Sequence, residues 1–340
     1  MDKDIFLSFV VPCYNINDYV SRCINSLGNQ IIKGDFEIEY ILVNDGSTDN
    51  TFDLLNRFAE KDSRAKVINQ NNRGVSAARN AGLNAASGKY VFFLDGDDYV
   101  TEQASQILYE SCYNDSADII ITNAFIVEEG FWDNKQNWDV IVDLANGLYS
   151  SDVFIHKIKM LPISFKAYKR DMLIKNNVRF DEDLKVGEVY TFFLHALSCS
   201  NFVSFVDKRV MNYLVRGNSV MRDGNINRDK SILSTISKID KYSHLFPFDI
   251  TNIYSYNSAF LTIVNLFTFD KYIKQTNYNS EIADIISKIK KVPAYKSVLH
   301  YFAYKHPRFD SCTRYSIALL ISSKIFYILL RYKYKLSLNK

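Results

Sequence analysis

Three carboxylates, Asp95, Asp97 and Asp98, follow directly on the apolar run YVFFL at residues 90–94. Ionised side by side, they repel one another. A divalent cation relieves that repulsion, and Mg²⁺ or Mn²⁺ usually takes one or two carboxylates and completes its shell with phosphate oxygens. The competing reading is a turn at a strand end, where Asp and Gly are ordinary residues. Position at the carboxyl end of a buried strand favours the metal. Asp45 precedes the turn in VNDGSTD, where its carboxylate can accept a hydrogen bond from an imide N–H such as that of uracil. Ser47, Thr48 and Asp49 beside it read as a turn and a helix cap. Tyr14 offers a ring face to a flat base, or is simply an aromatic at a strand exit. Arg79 and Asn80 fall near the start of the small-residue run SAARNAGLNAA, able to reach a ligand while Ala and Gly pack below. The alternative for Arg79 is a salt bridge on a helix surface. Helix N-termini also favour anions.

These groups need a scaffold, and the hydrophobic pattern supplies one. Residues 6–11 (FLSFVV) predict a strand ending at Pro12, and residues 39–43 (EYILV) predict a second. Short strands are expected at 66–68, 90–94 and 118–122. Helical spacing covers residues 17–29, 50–61 and 76–86, the last closed by Gly88. Alternating β and α elements with continuous apolar strands predict an α/β fold, a mostly parallel sheet with helices on both faces. In such sheets ligands sit beyond the carboxyl ends of strands. The clusters PCYN, NDGSTD and DGDD all fall there. Residues 124–220 are less regular, with helical patterns around 153–160 and 187–200, and from about 226 the pattern is helical throughout.

Composition excludes several classes. The chain has 340 residues, 47% hydrophobic, with only 12 Gly and 5 Pro, so collagen-like and disordered readings fail. A net charge of +3 carries no global field for nucleic acid. Five scattered cysteines without a CxxC pair argue against a zinc site or disulfide framework and fit a reducing compartment. The start MDKDIFLSFVVP reads as neither signal peptide nor anchor.

VVPCYN, VNDGSTD, NNRGVSAARN and FLDGDD, in this order and at these intervals, resemble the inverting family 2 glycosyltransferases of GT-A fold. The resemblance is detailed over residues 5–123 and weaker to about 223. It implies a GT-A catalytic domain at 1–222, with a nucleotide-binding half at 1–123 and an acceptor half at 124–222. A helical C-terminal region at 223–340 would follow. By motif position, Pro12 and Tyr14 would line the nucleotide pocket, Asp45 would bind the base, and Arg79 would help hold the donor. Asp95 would face ribose and diphosphate, and Asp97 would ligate Mn²⁺ or Mg²⁺, with Asp98 as a substitute. Arg216 and Ser219 of YLVRGNSVMR loosely match a segment touching the diphosphate, though RGNS also reads as a turn. The implied donor is a nucleotide sugar, most often UDP-linked. The implied acceptor is a saccharide or lipid-linked oligosaccharide at the cytoplasmic face of the membrane.

One position departs from the pattern. The general base of the family usually lies in a Glu-Asp pair opening a helix, and the matching pair here is Glu188 and Val189. Glu188 is the candidate base. The alternatives are Asp183, a substrate-held base, or a non-catalytic nucleotide-sugar-binding relative, and Glu188 can equally be a first-turn acid favoured by the helix dipole. A nucleotidyltransferase would also place carboxylates beyond a parallel sheet, but it would want a Gly-rich, Lys-bearing phosphate loop. VVPCYNINDY has neither residue.

Residues 311–340 contain the apolar stretch IALLISSKIFYILL followed by the basic RYKYKLSLNK. Such a segment can lie in a membrane interface, and a core helix with a solvated tail is the other reading. On the interfacial reading, deletion after Tyr315 releases the protein from liposomes containing anionic lipid; undiminished sedimentation with those liposomes rejects it.

Overall fold

The computed structural model describes residues 4–131, 135–138, 144–157, 165–184 and 187–216. Ser219, the helical region expected at 223–340 and the tail at 311–340 lie outside the described residues. The chain divides into two compact units, Met1–Asp183 with Glu188–Ser219, and Leu184–Gly187 with Val220–Lys340. All the described helices and strands belong to the first.

Its first half runs β1 (Ile5–Cys13), α1 (Asn17–Gly28), β2 (Glu37–Asp45), α2 (Thr51–Ala59), β3 (Ala65–Gln70), α3 (Val75–Ala85), β4 (Tyr90–Phe93), β5 (Tyr99–Val100) and α4 (Ala104–Glu110). The second half runs β6 (Ile119–Glu128), β7 (Lys135–Trp138), β8 (Gly147–Ser150), α5 (Ser151–Lys157), β9 (Lys166–Lys169), α6 (Arg170–Lys175), α7 (Glu188–Cys199) and β10 (Phe202–Val215). All ten strands join one sheet, in the order β3-β2-β1-β4-β9-β6-β10-β5, with β7 on β6 and β8 on β10. β3, β2, β1 and β4 pair in parallel, as do β6 and β10, while β9 is antiparallel to both its neighbours. The expected α/β architecture is present, with β1, β2, β3, β4, β6 and β10 running one way.

Side-chain alternation assigns the two faces. Phe9 packs on Tyr40 and Phe92; Tyr40 in turn meets Phe58 of α2 and donates its hydroxyl to the Leu27 carbonyl of α1. On the opposite face, Val10 meets α3, and Phe93 meets Phe180 and Phe192 of α7. The sheet is therefore sandwiched, and its strands are apolar on both sides for that reason.

Three expectations are corrected. β1 continues through Pro12 to Cys13. It can do so because β4 ends at Phe93, its last pairing with β1 being Val10, so beyond that point β1 pairs with β2 and Pro12 owes no ladder bond to β4. Gly88 does not close α3 as a left-handed cap, since Ala86 holds that place in extended conformation. A Cβ on Gly88 would lie 2.6 Å from Ser8 Oγ, so the residue serves close approach to β1. The strand expected to end at Thr122 runs to Glu128, extended by pairing with β10 and β7, which local pattern did not reveal. Among the described residues no helix is long and apolar enough to cross a membrane.

Gly82 sets the distance between α3 and the sheet: a Cβ there would lie 2.2 Å from Val10 Cγ1. Helix propensity favours Ala over Gly by about 1 kcal/mol, whereas overpacking costs about 1–3 kcal/mol. Gly82→Ala is therefore expected to lower stability in urea unfolding; a gain would show that α3 can lift from β1 freely.

Candidate active site

The carboxyl ends of β1, β2 and β4 converge through specific contacts. The loop after β1 is stitched to the turn after β2: Thr48 N–H donates to Asn15 Oδ1 at 2.8 Å, Asn17 N–H to Asp49 Oδ2 at 3.1 Å, and Ile16 N–H to Thr51 Oγ1 at 3.0 Å. Asp49 also accepts from the Thr51 N–H opening α2, so the NDGSTD cluster forms the turn read from it, while the N-cap position falls to Asn50, whose side chain makes no capping bond. The DGDD turn after β4 lies against the same loop. A Cβ on Gly96 would stand 2.4 Å from Ile16 Cδ1 and 3.0 Å from the Pro12 carbonyl oxygen, so only glycine lets the acidic turn sit beside β1. Beneath it lies Cys13, whose thiol is buried and pushed well above its ordinary pKa by burial and by Asp97 and Asp95.

Asp45 is buried at the end of β2. Its Oδ1 accepts from Gln70 Nε2 at 2.7 Å and Arg73 N–H at 2.9 Å, and its Oδ2 from Gly74 N–H at 2.8 Å. The carboxylate thus shapes the loop that opens α3, with Gly74 in the left-handed region at φ 91°. Tyr14 leaves β1 exposed, its ring accessible beside this loop junction.

Arg79 is the hub. Only 5% exposed, it donates from Nη2 to Asp95 Oδ1 at 2.7 Å and from Nη1 to Glu188 Oε1 at 2.9 Å. Its guanidinium lies 5.2 Å over the Phe180 ring. Burial works against its charge, but Asp95 and Glu188 outweigh that and raise its pKa. One cation thereby joins α3, the DGDD turn and the start of α7. Glu188, expected to take a substrate proton, has one oxygen engaged by Arg79.

The three acids of the turn are placed differently. Asp95 keeps a half-exposed side chain. Asp97 meets Arg216, just past β10, with Oδ2 2.5 Å from Nη2; the same guanidinium covers the Tyr19 ring at 4.9 Å. Burial and Asp95 raise the Asp97 pKa, partly offset by Arg216. Asp98 is buried and accepts the Leu214 N–H at 2.8 Å, its pKa raised by burial and by Asp97 and Asp95. Its carboxylate ties the turn to β10. Among the described residues no three His, Cys, Asp or Glu side chains gather as a ready metal cluster.

Beside Arg79 and Asp95 opens a small cleft of about 50 Å³, also lined by Phe93, Phe165, Lys166, Tyr168, Phe180, Val189 and Phe192. Lys166 is 3% exposed, with Nζ 4.4 Å from the centre of the Phe193 ring, and burial lowers its pKa to about 7. Sequence reasoning missed this residue. KAYK in a short strand looks like any amphipathic segment, and only the pairing of β9 with β4 turns Lys166 toward the site.

A sheet whose carboxyl edge gathers an acidic turn, a buried loop-holding carboxylate and two arginines has the architecture of the GT-A nucleotide-diphospho-sugar transferases. Residues 8–176 match Glycosyl transferase family 2, and the chain belongs to that family. It is 31% identical over 226 residues to the glycosyltransferase GlyG of Streptococcus pneumoniae, covering 64% of this chain and 73% of GlyG. To EpsJ of Bacillus subtilis, an uncharacterized glycosyltransferase, it is 32% identical over 63% of this chain, and it spans 62% of the length of EpsJ. Among solved structures, Staphylococcus aureus TarS residues 1–349 in complex with UDP shares the fold with a TM-score of 0.69 at 19% identity, over 98% of this chain and 92% of that one.

The desolvation of Lys166 has a stability signature. Its folded pKa is lowered from the ordinary 10.5 to about 7. Folded stability therefore falls as pH drops from 10.5 towards 7 and levels off below that. Lys166→Met removes this cost, so its gain in melting temperature is expected to be larger at about pH 7 than at about pH 10. An equal gain at both would show the amine to be well solvated.

Proposed function

We propose that the protein is a glycosyltransferase that moves a sugar from a nucleotide-sugar donor, UDP-linked, to a hydroxyl of a saccharide or lipid-linked acceptor with inversion. The pathway would be assembly of a bacterial surface polysaccharide at the inner face of the membrane. The observation that carries this reading is Arg79 joining Asp95 of the acidic turn to Glu188 of α7, beside the Asp97–Arg216 pair, in a member of family 2. TarS, which shares the fold, is a UDP complex, and that makes UDP the first probe.

In this reading Pro12, Tyr14 and Asp45 form the nucleotide pocket. Asp45 shapes its wall through the 70–74 loop, and Tyr14 gives the base a ring face. Arg79 fixes Asp95 towards ribose and diphosphate. Arg216 presents a guanidinium to the diphosphate, a geometry suited to phosphate oxygens.

A divalent cation, Mn²⁺ or Mg²⁺, fits the donor set. Asp97 is partly buried beside Asp95, and burial together with the Asp95 charge raises its pKa, which a bound cation would offset. Asp97 would hold the ion together with diphosphate oxygens, and when bound it supplies Lewis-acid stabilisation of charge on the departing phosphate. Glu188 is the candidate general base, one of its oxygens held by Arg79, which it also keeps against Asp95.

Val189 supports a second reading, a non-catalytic nucleotide-sugar-binding relative, because it stands where the family resemblance places a carboxylate. Titration calorimetry with UDP and Mn²⁺, paired with hydrolysis of a panel of UDP-sugars, decides between them. Binding with turnover is the expected result; binding without turnover favours the second reading, and absence of UDP binding removes both. Asp97→Ala is expected to abolish metal-dependent turnover while the melting transition stays cooperative. Unchanged turnover in that variant would refute the assignment of Asp97.

A further inference from the structure

α3 carries two long polar side chains in succession, and they engage different parts of the chain. Arg79 reaches the acidic turn and the start of α7. Asn80, whose spacing left it able to reach a ligand, grips the backbone at Phe180. Its Oδ1 accepts the Phe180 N–H at 2.9 Å, and its Nδ2 donates to the Phe180 carbonyl at 2.9 Å. The same Nδ2 donates to Glu182 Oε1 at 3.2 Å. Phe180 is buried and belongs to no helix or strand, so no ladder serves its backbone. One side-chain amide supplies both the acceptor and the donor that a buried peptide unit requires.

We propose that Asn80 is a positioning residue for sugar transfer: by holding the Phe180 backbone it sets the ring on which Arg79 rests, and so fixes Arg79 between Asp95 and Glu188. This rests on the transferase reading. The effect is indirect, passing through Phe180 and Arg79 to the two carboxylates.

Three observations carry it. The Phe180 ring stands at a junction, stacked on Phe192 of α7 at 4.0 Å and edge-on to Phe93 of β4 at 4.8 Å, with the Arg79 guanidinium 5.2 Å from its centre. A shift of the 180 backbone therefore moves the surface beneath the cation. Secondly, Asn80 and Arg79 are neighbours on one helix, itself seated on β1 at Gly82, so helix geometry fixes the grip relative to the guanidinium. Thirdly, the grip continues to the nucleotide side. Glu182 accepts from Arg73 Nη2 at 2.9 Å, and the Arg73 N–H is one of the donors that hold Asp45. Placement errors of about 1 Å can cost about 10²-fold in rate, even when they arise away from the reacting atoms.

The test uses the full chain, with UDP titration and UDP-sugar hydrolysis in the presence of Mn²⁺, below the melting transition of each variant. Asn80→Ala removes both bonds to Phe180. Asn80→Asp keeps the acceptor but sets an oxygen against the Phe180 carbonyl and Glu182. Phe180→Leu keeps the backbone grip and removes the ring. Each is expected to lower kcat about 10- to 10²-fold while UDP affinity stays within about twofold. Because Asn80 acts through the ring, the Asn80→Ala/Phe180→Leu double variant is expected to lose no more than the worse single variant. A residue needed for stability alone would lower the melting temperature and leave kcat of the folded enzyme unchanged; that result overturns the proposal. Wild-type kcat in Phe180→Leu overturns it, and so do fully multiplicative losses in the double variant. Loss of UDP affinity in step with kcat overturns it as well, since that marks a binding role. Should Asn80→Ala fail to fold, Asn80→Asp and Phe180→Leu decide by the same criteria. UDP binding without turnover in wild type overturns it together with the enzymatic reading, whereas failure of wild type to bind UDP removes the reading beneath it. Loss of kcat confined to the variants, with UDP binding intact, supports it.

Discussion

A buried guanidinium cannot be left alone in a protein interior, and much of this site is arranged around that constraint. Arg79 sits 5% exposed between Asp95 and Glu188. Removing one partner of such a pair typically costs about 3–5 kcal/mol, because the remaining charge stays buried. The acidic turn after β4 and the first turn of α7 are therefore obliged to meet at Arg79, although Asp95 and Glu188 are far apart in sequence. The ring of Phe180 beneath the guanidinium, itself stacked on Phe192 at 4.0 Å, makes this meeting point rigid. One residue carries both contacts: the side chain that holds the acidic turn also fixes the start of α7.

Close approach is the second constraint. Gly82 lets α3 rest on Val10, Gly88 lets the following turn touch Ser8, and Gly96 lets the acidic turn rest against the exit of β1. Each removes a Cβ that would collide with its neighbour, and together they bring Arg79, Asp95 and Pro12 within one cleft edge. Carboxylates then divide the work. Asp45 and Asp98 are consumed in holding loops, and Asp95 and Asp97 keep the exposure or the uncompensated charge that a ligand can use.

Much of this was legible in the sequence, where local pattern and chemistry coincided. Apolar runs followed at once by PCYN, NDGSTD and DGDD located three strand ends, and Arg79 stood out as a lone cation in a small-residue helix. What was not legible depended on pairing between distant segments. β9 and β10 are recognisable only through their neighbours β4 and β6, so Lys166 gave no signal. Asp45 looked free to meet a ligand because nothing local announces that residues 70–74 turn their N–H groups upon it. Pro12 read as a strand terminator because the early end of β4, which excuses it from the ladder, lies far along the chain at Phe93.

Cys13 lies directly under the acidic turn, buried, with a thiol held in its protonated form by burial and by the neighbouring Asp97 and Asp95. Sulfur reacts as thiolate, and a thiol so disfavoured from ionising is a poor nucleophile. Alkylating reagents and peroxide should thus pass over this sulfur. A protein built this way tolerates a cysteine beneath its acidic turn without exposing that turn to redox control.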